Sequence, residues 1–167
     1  MRLVIDGYNL IHTVPELAFA SDKGEGREAL MEALRLYRKK RPQNKVRVIF
    51  DGGISPSGDK EHLAGTPVRY SGAERSADDV IAALAAKEGG GLTVVTSDRE
   101  LAGRCRVHGA VVISSEEFGS RLLEVALGVP GAGEGGDEGW DFTTKKKGPA
   151  KRLPKAQRKK ARRKNRL

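Results

Sequence analysis

The stretch RLVIDGYNLI, at residues 2–11, is the point from which the rest of the chain can be interpreted. It contains a short apolar run, Leu3 to Ile5, that stops at Asp6 and Gly7, which is typical of a buried strand followed by a polar turn. The same pattern returns in VRVIFDG, residues 46–52, and in LTVVTSD, residues 92–98. Helical patterns separate these strands. Strands that alternate with helices favour a mainly parallel sheet, so we predict an α/β fold with three layers, α/β/α.

The remaining elements are predicted from apolar spacing and capping residues. Four helices are expected: 25–40, 77–88, one that begins at the capping box SDRE (97–100) and one that begins at SSEE (114–117). Two further strands are expected, a short edge strand at 67–70 and a strand at 110–113. Residues 11–24 and 52–66 are predicted to be loops.

The charge of the chain is divided unevenly along its length. The 31 basic and 22 acidic residues give a net charge of +9, but 13 of the basic residues lie in 145–167, which contains no acid. Residues 1–128 hold 18 basic and 18 acidic residues, and the other four acids lie in the glycine-rich stretch 129–144. We therefore predict a neutral domain at 1–128, a flexible acidic linker at 129–144 and a disordered, Lys/Arg-rich, RNA-binding tail at 145–167.

Composition excludes several classes of protein. The single cysteine, Cys105, cannot form an internal disulfide, which argues against a secreted disulfide scaffold and favours the cytoplasm. No Cys/His cluster has the spacing of a zinc site, and no apolar run approaches the roughly 20 residues of a membrane span. The N-terminus lacks the apolar core of a signal peptide. We expect a cytoplasmic protein with no membrane partner, and its oligomeric state stays open.

Aspartates follow three of the predicted strands: Asp6, Asp51 and Asp98. The carboxyl ends of parallel strands meet at one edge of a sheet, where ligands bind. Asp78 and Asp79 begin a helix near that edge, and helical geometry places Asp78 closer to the apolar stripe than Asp79. Clustered carboxylates repel unless a cation neutralises them, and hard oxygen ligands suit Mg²⁺ or Mn²⁺.

Each of these aspartates also has an ordinary structural explanation. Asp and Gly are common turn formers after strands, and Asp at the start of a helix is a common cap. Three strands that end in acid, together with Asp78, are harder to attribute to turns alone. For the set as a whole, the pattern favours a Mg²⁺ or Mn²⁺ site that activates water against a phosphate.

Four motifs resemble, in order, those of the NYN domain, a PIN-like nuclease family, and of its YacP-like branch in particular. They are VIDGYNLI (4–11), IFDG (49–52), SADDVI (76–81) and VTSDREL (95–101), and the resemblance covers about residues 1–127. It implies a PIN-like α/β/α fold and a metal-dependent endoribonuclease, and the branch includes a ribosome-associated enzyme that cleaves mRNA during translation.

The resemblance also implies roles for individual residues. Asp6, Asp78 and Asp98 would bind the metal, and Asn9 would assist at the site through its amide. Ser97 would bind a metal-linked water or cap its helix. Asp51 would be either a ligand or a supporting acid, so its role stays open.

Other residues are candidates for contact with substrate. Tyr8 is expected either to stack on a base or to pack the first loop, and Arg75 and Arg99 either to hold phosphate or to remain solvated. His12 is more often incidental than a general base in such a position. In the tail, the candidate RNA contacts are Lys151, Arg152, Arg158, Lys159 and Lys160.

These observations lead to an expected function with two alternatives. We expect a Mg²⁺- or Mn²⁺-dependent endoribonuclease that cleaves mRNA in association with the ribosome, with rRNA as a further partner. The first alternative is a catalytically inactive RNA- or ribosome-binding protein. The second is a phosphohydrolase of small molecules, but the Asp-x-Asp nucleophile of one common class is absent because Asp6 is followed by Gly7 and Tyr8.

Overall fold

The computed structural model describes residues 1–56, 58–128 and 155–167. The whole predicted linker, residues 129–144, lies outside these residues, and so do Lys151 and Arg152.

Six strands form one sheet, and five of them are parallel. The strands are β1 (Arg2–Asp6), β2 (Lys45–Phe50), β3 (Lys60–Leu63), β4 (Thr66–Tyr70), β5 (Leu92–Val95) and β6 (Val111–Ile113). Their order is β3-β4-β2-β1-β5-β6, and only β3 runs antiparallel to its neighbour. The motif-bearing strand β1 lies between β2 and β5, so the three strands that lead to aspartates are adjacent.

Helices cover both faces of the sheet, which confirms the predicted three-layer α/β fold. They are α1 (Gly7–Thr13), α2 (Pro15–Asp22), α3 (Gly26–Lys40), α4 (Ala77–Glu88), α5 (Arg99–Val107), α6 (Ser115–Leu127) and α7 (Lys155–Lys164), with a short 3₁₀ turn at Gly89–Gly91.

Successive residues of β1 point to opposite faces and so contribute to two separate cores. Leu3 and Ile5 pack with α3 and α6, whereas Val4 packs with α4 and α5. Cys105 is fully buried in the second core.

The prediction of a loop over 11–24 was wrong. Helix α1 begins directly after β1 because the Asp6 side chain accepts a hydrogen bond from the backbone N–H of Asn9. Pro15 is the first residue of α2, a position where the missing N–H of proline costs nothing. Leu10, Ile11 and Leu17 are buried and hold both short helices against the core.

The loop predicted at 52–66 contains a strand, and this changes the edge of the sheet. Residues Lys60–Leu63 form β3, which pairs with β4 through a turn at Ala64 and Gly65, both with positive φ. The predicted edge strand at 67–70 therefore lies inside the sheet, between β3 and β2.

The predicted disordered tail, residues 145–167, is described only from residue 155 onward. In that part, Lys155–Lys164 form α7, which packs against β6, and Leu167 is buried with 3% of its surface exposed. The helix is attached to the domain by Arg163, which donates hydrogen bonds to the carbonyls of Gly90 and Leu92, and by Lys164, which pairs with Glu117 at 2.6 Å. No helix in the described part of the chain is long and apolar enough to cross a membrane.

Candidate active site

The aspartates meet at the carboxyl edge of the sheet. Asp6 is the last residue of β1, and Asp98 follows β5. Their link is the hydroxyl of Thr96, which donates to Asp6 Oδ2 at 3.3 Å and accepts from the backbone N–H of Asp98 at 3.1 Å. Asp78, in the first turn of α4, is close enough to raise the pKa of Asp6. Asp6, Asp78 and Asp98 therefore lie at the same edge of the sheet and interact electrostatically.

Asp6 is the most buried of the three, with 8% of its surface exposed. Desolvation by burial raises its pKa from 3.8 to about 6, against the opposing hydrogen bond from the Asn9 N–H. The charges of Asp78 and Asp98 contribute to this rise in pKa. The Asp6 carboxylate is therefore costly to ionise in the free protein, and a nearby cation would relieve that cost.

Asp78 and Asp98 both have oxygens left for a ligand. Asp98 caps α5, and its Oδ1 accepts from the Leu101 N–H at 2.7 Å. Its Oδ2 accepts no hydrogen bond from the described residues, and neither oxygen of Asp78 does. Desolvation, followed by the charge of Asp98, raises the pKa of Asp78.

Asp79 points away from this group, as the helical geometry predicted. Its exposed carboxylate pairs with Arg104 at 2.7 Å, and the hydrogen bond from Arg104 lowers its pKa.

Ser97 does not cap α5, because Asp98 takes that position. The Ser97 hydroxyl instead donates to Glu116 Oε2 at 2.6 Å and accepts from the backbone N–H of Ser115 at 3.0 Å. It joins the loop after β5 to the start of α6. The N-cap of α5 is therefore Asp98, one residue later than the predicted capping box, whereas Ser114 caps α6 as expected.

Asn9 uses its amide oxygen to hold this same loop. Its Oδ1 accepts from the Ser97 N–H at 2.8 Å and from the Ser115 hydroxyl at 2.6 Å. Asn9 thus connects α1, the loop after β5 and α6, and it positions the residues next to Asp98.

Asp51 makes structural hydrogen bonds through one of its two carboxylate oxygens. Its Oδ1 accepts from the Ser71 hydroxyl at 3.0 Å and from the Ala77 N–H at 2.9 Å. These bonds tie the end of β2 to the loop that leads into α4. Asp51 still contributes negative charge near Asp78, whose pKa it helps to raise.

The candidate substrate contacts are divided between the two ends of the molecule. Tyr8 has 36% of its surface exposed beside Asp6, with its ring edge-on to Phe50 at 4.9 Å between centroids and against His12 at 6.3 Å. Arg75 and Arg99 are exposed at the starts of α4 and α5, on the same edge. The helix that carries Arg158, Lys159 and Lys160 is not at this edge, since Lys159 donates to the carbonyl of Gly109, just before β6.

Several residues of the site were missed by the sequence analysis, namely Thr96, Ser71, Ser115 and Glu116. Each is a hydrogen-bond partner of a predicted residue: Thr96 of Asp6, Ser71 of Asp51, Ser115 of Asn9 and Glu116 of Ser97. Thr96 lies within the VTSDREL motif, so its position beside Asp98 was the available signal.

The residues fit a divalent cation that keeps much of its water. Across residues 1–56, 58–128 and 155–167, no three Asp, Glu, His or Cys side chains are close enough to enclose an ion. Mg²⁺ usually retains several waters and binds through one or two carboxylates together with substrate phosphates, and it seldom needs a complete protein cage. The open oxygens of Asp78 and Asp98 beside the buried Asp6 match that kind of site.

Comparisons with known proteins agree with this fold. Residues 3–164 match the YacP-like NYN domain family. The crystal structure of Rae1 (YacP) from Bacillus subtilis, in a tryptophan-to-leucine variant, superposes with a TM-score of 0.61 at 24% identity and covers 75% of this chain and 76% of that one. The Rae1 (YacP) structure without that substitution gives 0.56 at 23% identity, with 75% of each chain covered. No curated protein sequence gives a significant match.

The family match extends beyond the motifs into α7, so the shared region is longer than the 1–127 expected from sequence. Since it spans nearly the whole chain, the chain belongs to the YacP-like NYN domain family, whose members are nuclease-like proteins.

Proposed function

We propose that this protein is a metal-dependent endoribonuclease that cleaves RNA phosphodiesters, with mRNA on the ribosome as its substrate in the cytoplasm. The supporting observation is the group formed by Asp6, Asp78 and Asp98 at the carboxyl edge of the sheet, with unused oxygens on Asp78 and Asp98. Turns and helix caps alone do not explain why these three aspartates lie together. Membership of a nuclease-like family supports a functional reason for the group.

Asp6, Asp78 and Asp98 would hold Mg²⁺ or Mn²⁺, with Asp51 as a supporting negative charge. When bound, the cation would neutralise the carboxylates and polarise the scissile phosphodiester. Water would attack the phosphorus in line and the P–O3′ bond would break, which leaves a 5′-phosphate and a 3′-hydroxyl.

The surrounding residues would position the RNA. Tyr8 offers an exposed ring on which a base can stack, and Arg75 and Arg99 offer guanidinium groups to the phosphates on either side of the acidic edge. Asn9 and Ser97 would keep Asp98 in place through the loop after β5.

Cleavage by the Asp98→Asn variant tests the proposal. Asparagine caps helices about as well as aspartate, so α5 should stay intact while the negative charge is lost. We expect cleavage in Mg²⁺ or Mn²⁺ to fall by about 10³-fold or more and RNA binding in EDTA to be retained. Asp79→Asn is the matched control, because Asp79 is exposed and paired with Arg104, and it should cleave like the wild type.

The substrate can be defined in the same assay. RNA is incubated with and without translating ribosomes, and product ends are mapped to identify the 5′-phosphate. Retained metal-dependent cleavage by Asp98→Asn and by Asp6→Asn would refute this mechanism.

A second function, an inactive RNA- or ribosome-binding protein, is favoured by one observation: no three metal-ligating side chains are close together in the described residues. Metal titration of the full chain separates the two functions. Absence of both metal binding and cleavage, with RNA binding intact, would support the inactive protein.

A further inference from the structure

Helix α7 has two faces with different roles. Lys159, Arg163 and Lys164 are half-buried towards the domain, and Leu167 beyond the helix is buried. On the other side, Arg158, Arg162 and Arg166 are exposed. Spacing of four residues places Arg158 and Arg162 on the same side of α7, because each step of four advances the helix by about 40° beyond a full turn. Arg166 lies in the turn that follows the helix. The basic residues of this segment therefore form two sets, one that faces the domain and one that faces solvent.

The inner face is occupied by contacts with the domain. Arg163 donates to the carbonyls of Gly90 at 2.6 Å and Leu92 at 2.5 Å, and to the hydroxyl of Thr93. Lys164 forms its ion pair with Glu117. These contacts occupy the charged groups of the inner face, so the inner residues attach the helix to the domain.

The end of α7 is attached through its backbone. Asn44 Nδ2 donates to the carbonyl of Arg166 at 3.0 Å, and Arg41 Nε donates to the carbonyl of Leu167 at 3.0 Å. The backbone of Arg166 is thus fixed while its side chain stays exposed.

The outer face has no partner within the described part of the chain. There, no hydrogen bond or ion pair involves the guanidinium groups of Arg158, Arg162 or Arg166. Arg158 and Arg162 are about 6 Å apart along the helix axis, since each residue rises about 1.5 Å, and Arg166 follows in the turn after α7. We call these three residues the arginine stripe. Three exposed and unneutralised guanidinium groups are complementary to a chain of phosphates.

A second basic region lies at the same end of the sheet as the docked helix. A cavity of about 430 Å³ is lined by four cations, Arg2, Arg38, Lys45 and Arg47, and by one acid, Glu88, which pairs with Arg2. Asn44 and Leu92 line this cavity, and they also contact the carbonyl of Arg166 and the guanidinium of Arg163. The docked helix and the cavity therefore both lie at the amino ends of the parallel strands.

This basic end is opposite the acidic edge. Lys45 and Leu92 begin β2 and β5, whereas Asp51 and Asp98 follow the other ends of the same strands. Strands of four to six residues separate the two ends by roughly 13–20 Å. One molecule thus presents carboxylates at one end of the sheet and unpaired arginines at the other.

We propose that the arginine stripe of α7 is an RNA-backbone binding surface, separate from the acidic edge and held at a fixed distance from it by the docked helix. The choice of RNA as the bound ligand rests on the proposed function. An anionic membrane is disfavoured because membrane-surface helices need a free apolar face, and the inner face of α7 is already bound to the domain. RNA that contacts both ends must be long enough to extend past the sheet.

The test compares two full-length variants with equal loss of charge. The first carries Arg158→Gln, Arg162→Gln and Arg166→Gln. The control carries Arg35→Gln, Lys87→Gln and Arg106→Gln, whose exposed side chains lie on three different helices and form no stripe. Binding to single-stranded RNAs of roughly 40 and roughly 6 nucleotides is measured in EDTA over a range of salt concentrations.

We expect the stripe variant to bind the long RNA about tenfold or more weakly, and the slope of log affinity against log salt to decrease by about two units, as expected for three lost phosphate contacts. The preference of the wild type for long over short RNA should disappear. The control should keep both the preference and most of the slope. Unchanged circular dichroism and melting temperature verify that α7 stays docked.

The inference would be overturned if the stripe and control variants bound the long RNA with equal affinity. It would also be overturned if the stripe variant lost binding only to phosphatidylserine vesicles, or only to an acidic protein added as competitor. EDTA makes the result independent of catalysis. If wild-type protein binds long RNA through the stripe but never cleaves RNA, the proposed nuclease fails and the binding surface stands.

Discussion

The amide oxygen of Asn9 accepts a hydrogen bond from the backbone N–H of Ser97 at 2.8 Å, across 88 positions of sequence. The same oxygen accepts from the hydroxyl of Ser115, which is fully buried. A single side chain therefore closes the end of β1 against the loops after β5 and β6. Those loops carry Asp98 and the start of α6, so the geometry of the acidic edge depends on Asn9 even though its amide oxygen is not directed at substrate.

Replacement of Asn9 by alanine should weaken both the fold and the site. The buried Ser115 hydroxyl loses its acceptor, which costs about 1–3 kcal/mol of unfolding free energy. The loop before Asp98 also loosens, so kcat should fall while Asp98 itself is intact. Denaturant unfolding and single-turnover cleavage measure the two effects. Wild-type stability in Asn9→Ala would contradict the positioning role.

Replacement of Asp6 by asparagine should stabilise the metal-free protein at neutral pH. Burial raises the pKa of Asp6 from 3.8 to about 6, so between these values the folded protein retains a proton that the unfolded chain has released. Stability therefore falls as pH rises through this range, by roughly 3 kcal/mol in total. Asparagine does not ionise, so Asp6→Asn removes this loss of stability with rising pH.

The difference in unfolding free energy between Asp6→Asn and the wild type is measured in EDTA. It should approach roughly 3 kcal/mol at pH 7 and shrink as the pH falls, vanishing well below pH 3.8, where the wild-type carboxyl is protonated in both states. A pH-independent difference would mean that the Asp6 pKa is not raised by the fold.

Two substitutions of Asp51 separate a structural role from a metal-binding role. Asparagine retains the Oδ1 that accepts from Ser71 and Ala77, so Asp51→Asn should keep wild-type stability and most of its cleavage activity. Alanine removes the acceptor, and Asp51→Ala should lose about 1–3 kcal/mol. Thermal melting and cleavage rates are compared for both variants. Loss of cleavage in a stable Asp51→Asn protein would identify Asp51 as a ligand.

Gly7 and Gly103 provide a matched pair of Gly→Ala substitutions. A Cβ at Gly7 would collide with the buried ring of Phe50, whereas one at Gly103 meets nothing within 4 Å. Gly7→Ala should therefore cost about 1–3 kcal/mol, and Gly103→Ala, in the interior of α5, should stabilise by about 0.5–1 kcal/mol. Chemical denaturation of the two variants gives both values, and equal shifts would show that the Phe50 contact is not restrictive.

Truncation of Leu167 to alanine tests whether α7 is part of the cooperative fold. Leu167 is 3% exposed in the core that contains α3 and α6, so Leu167→Ala should cost about 2–4 kcal/mol of unfolding free energy. Asn165→Ala, at an exposed neighbouring position, is the control and should be close to neutral. Hydrogen exchange at α7 should accelerate in the first variant only. Unchanged stability in both would mean that the helix is not packed on the domain.

The acidic group could be predicted from sequence because the position of each aspartate follows from the topology. Asp6 and Asp98 follow strands that must be parallel when helices separate them, and parallel strands end at the same edge. The distinction between Asp78 and Asp79 followed from helical periodicity alone, and the structure agrees with it.

Other features depend on contacts that local sequence does not encode. Pro15 and Gly24 suggested a loop over 11–24, but Pro15 begins α2 and the burial of Leu17 supports the helix. Strand β3 has alternating exposed and half-buried residues with no apolar run, so only its pairing with β4 reveals it. The docking of α7 was not predicted because Arg163 binds backbone carbonyls, which any sequence possesses.

The position of β1 between β2 and β5 also has a consequence for biosynthesis. β1 is synthesised first, yet its second neighbour is completed only after residue 95, and Asn9 finds its last partner at Ser115. At a translation rate of about 5–20 residues per second, the β5 segment is synthesised several seconds after β1. The candidate metal-binding carboxylates of a nascent chain therefore come together only after most of the domain has been translated.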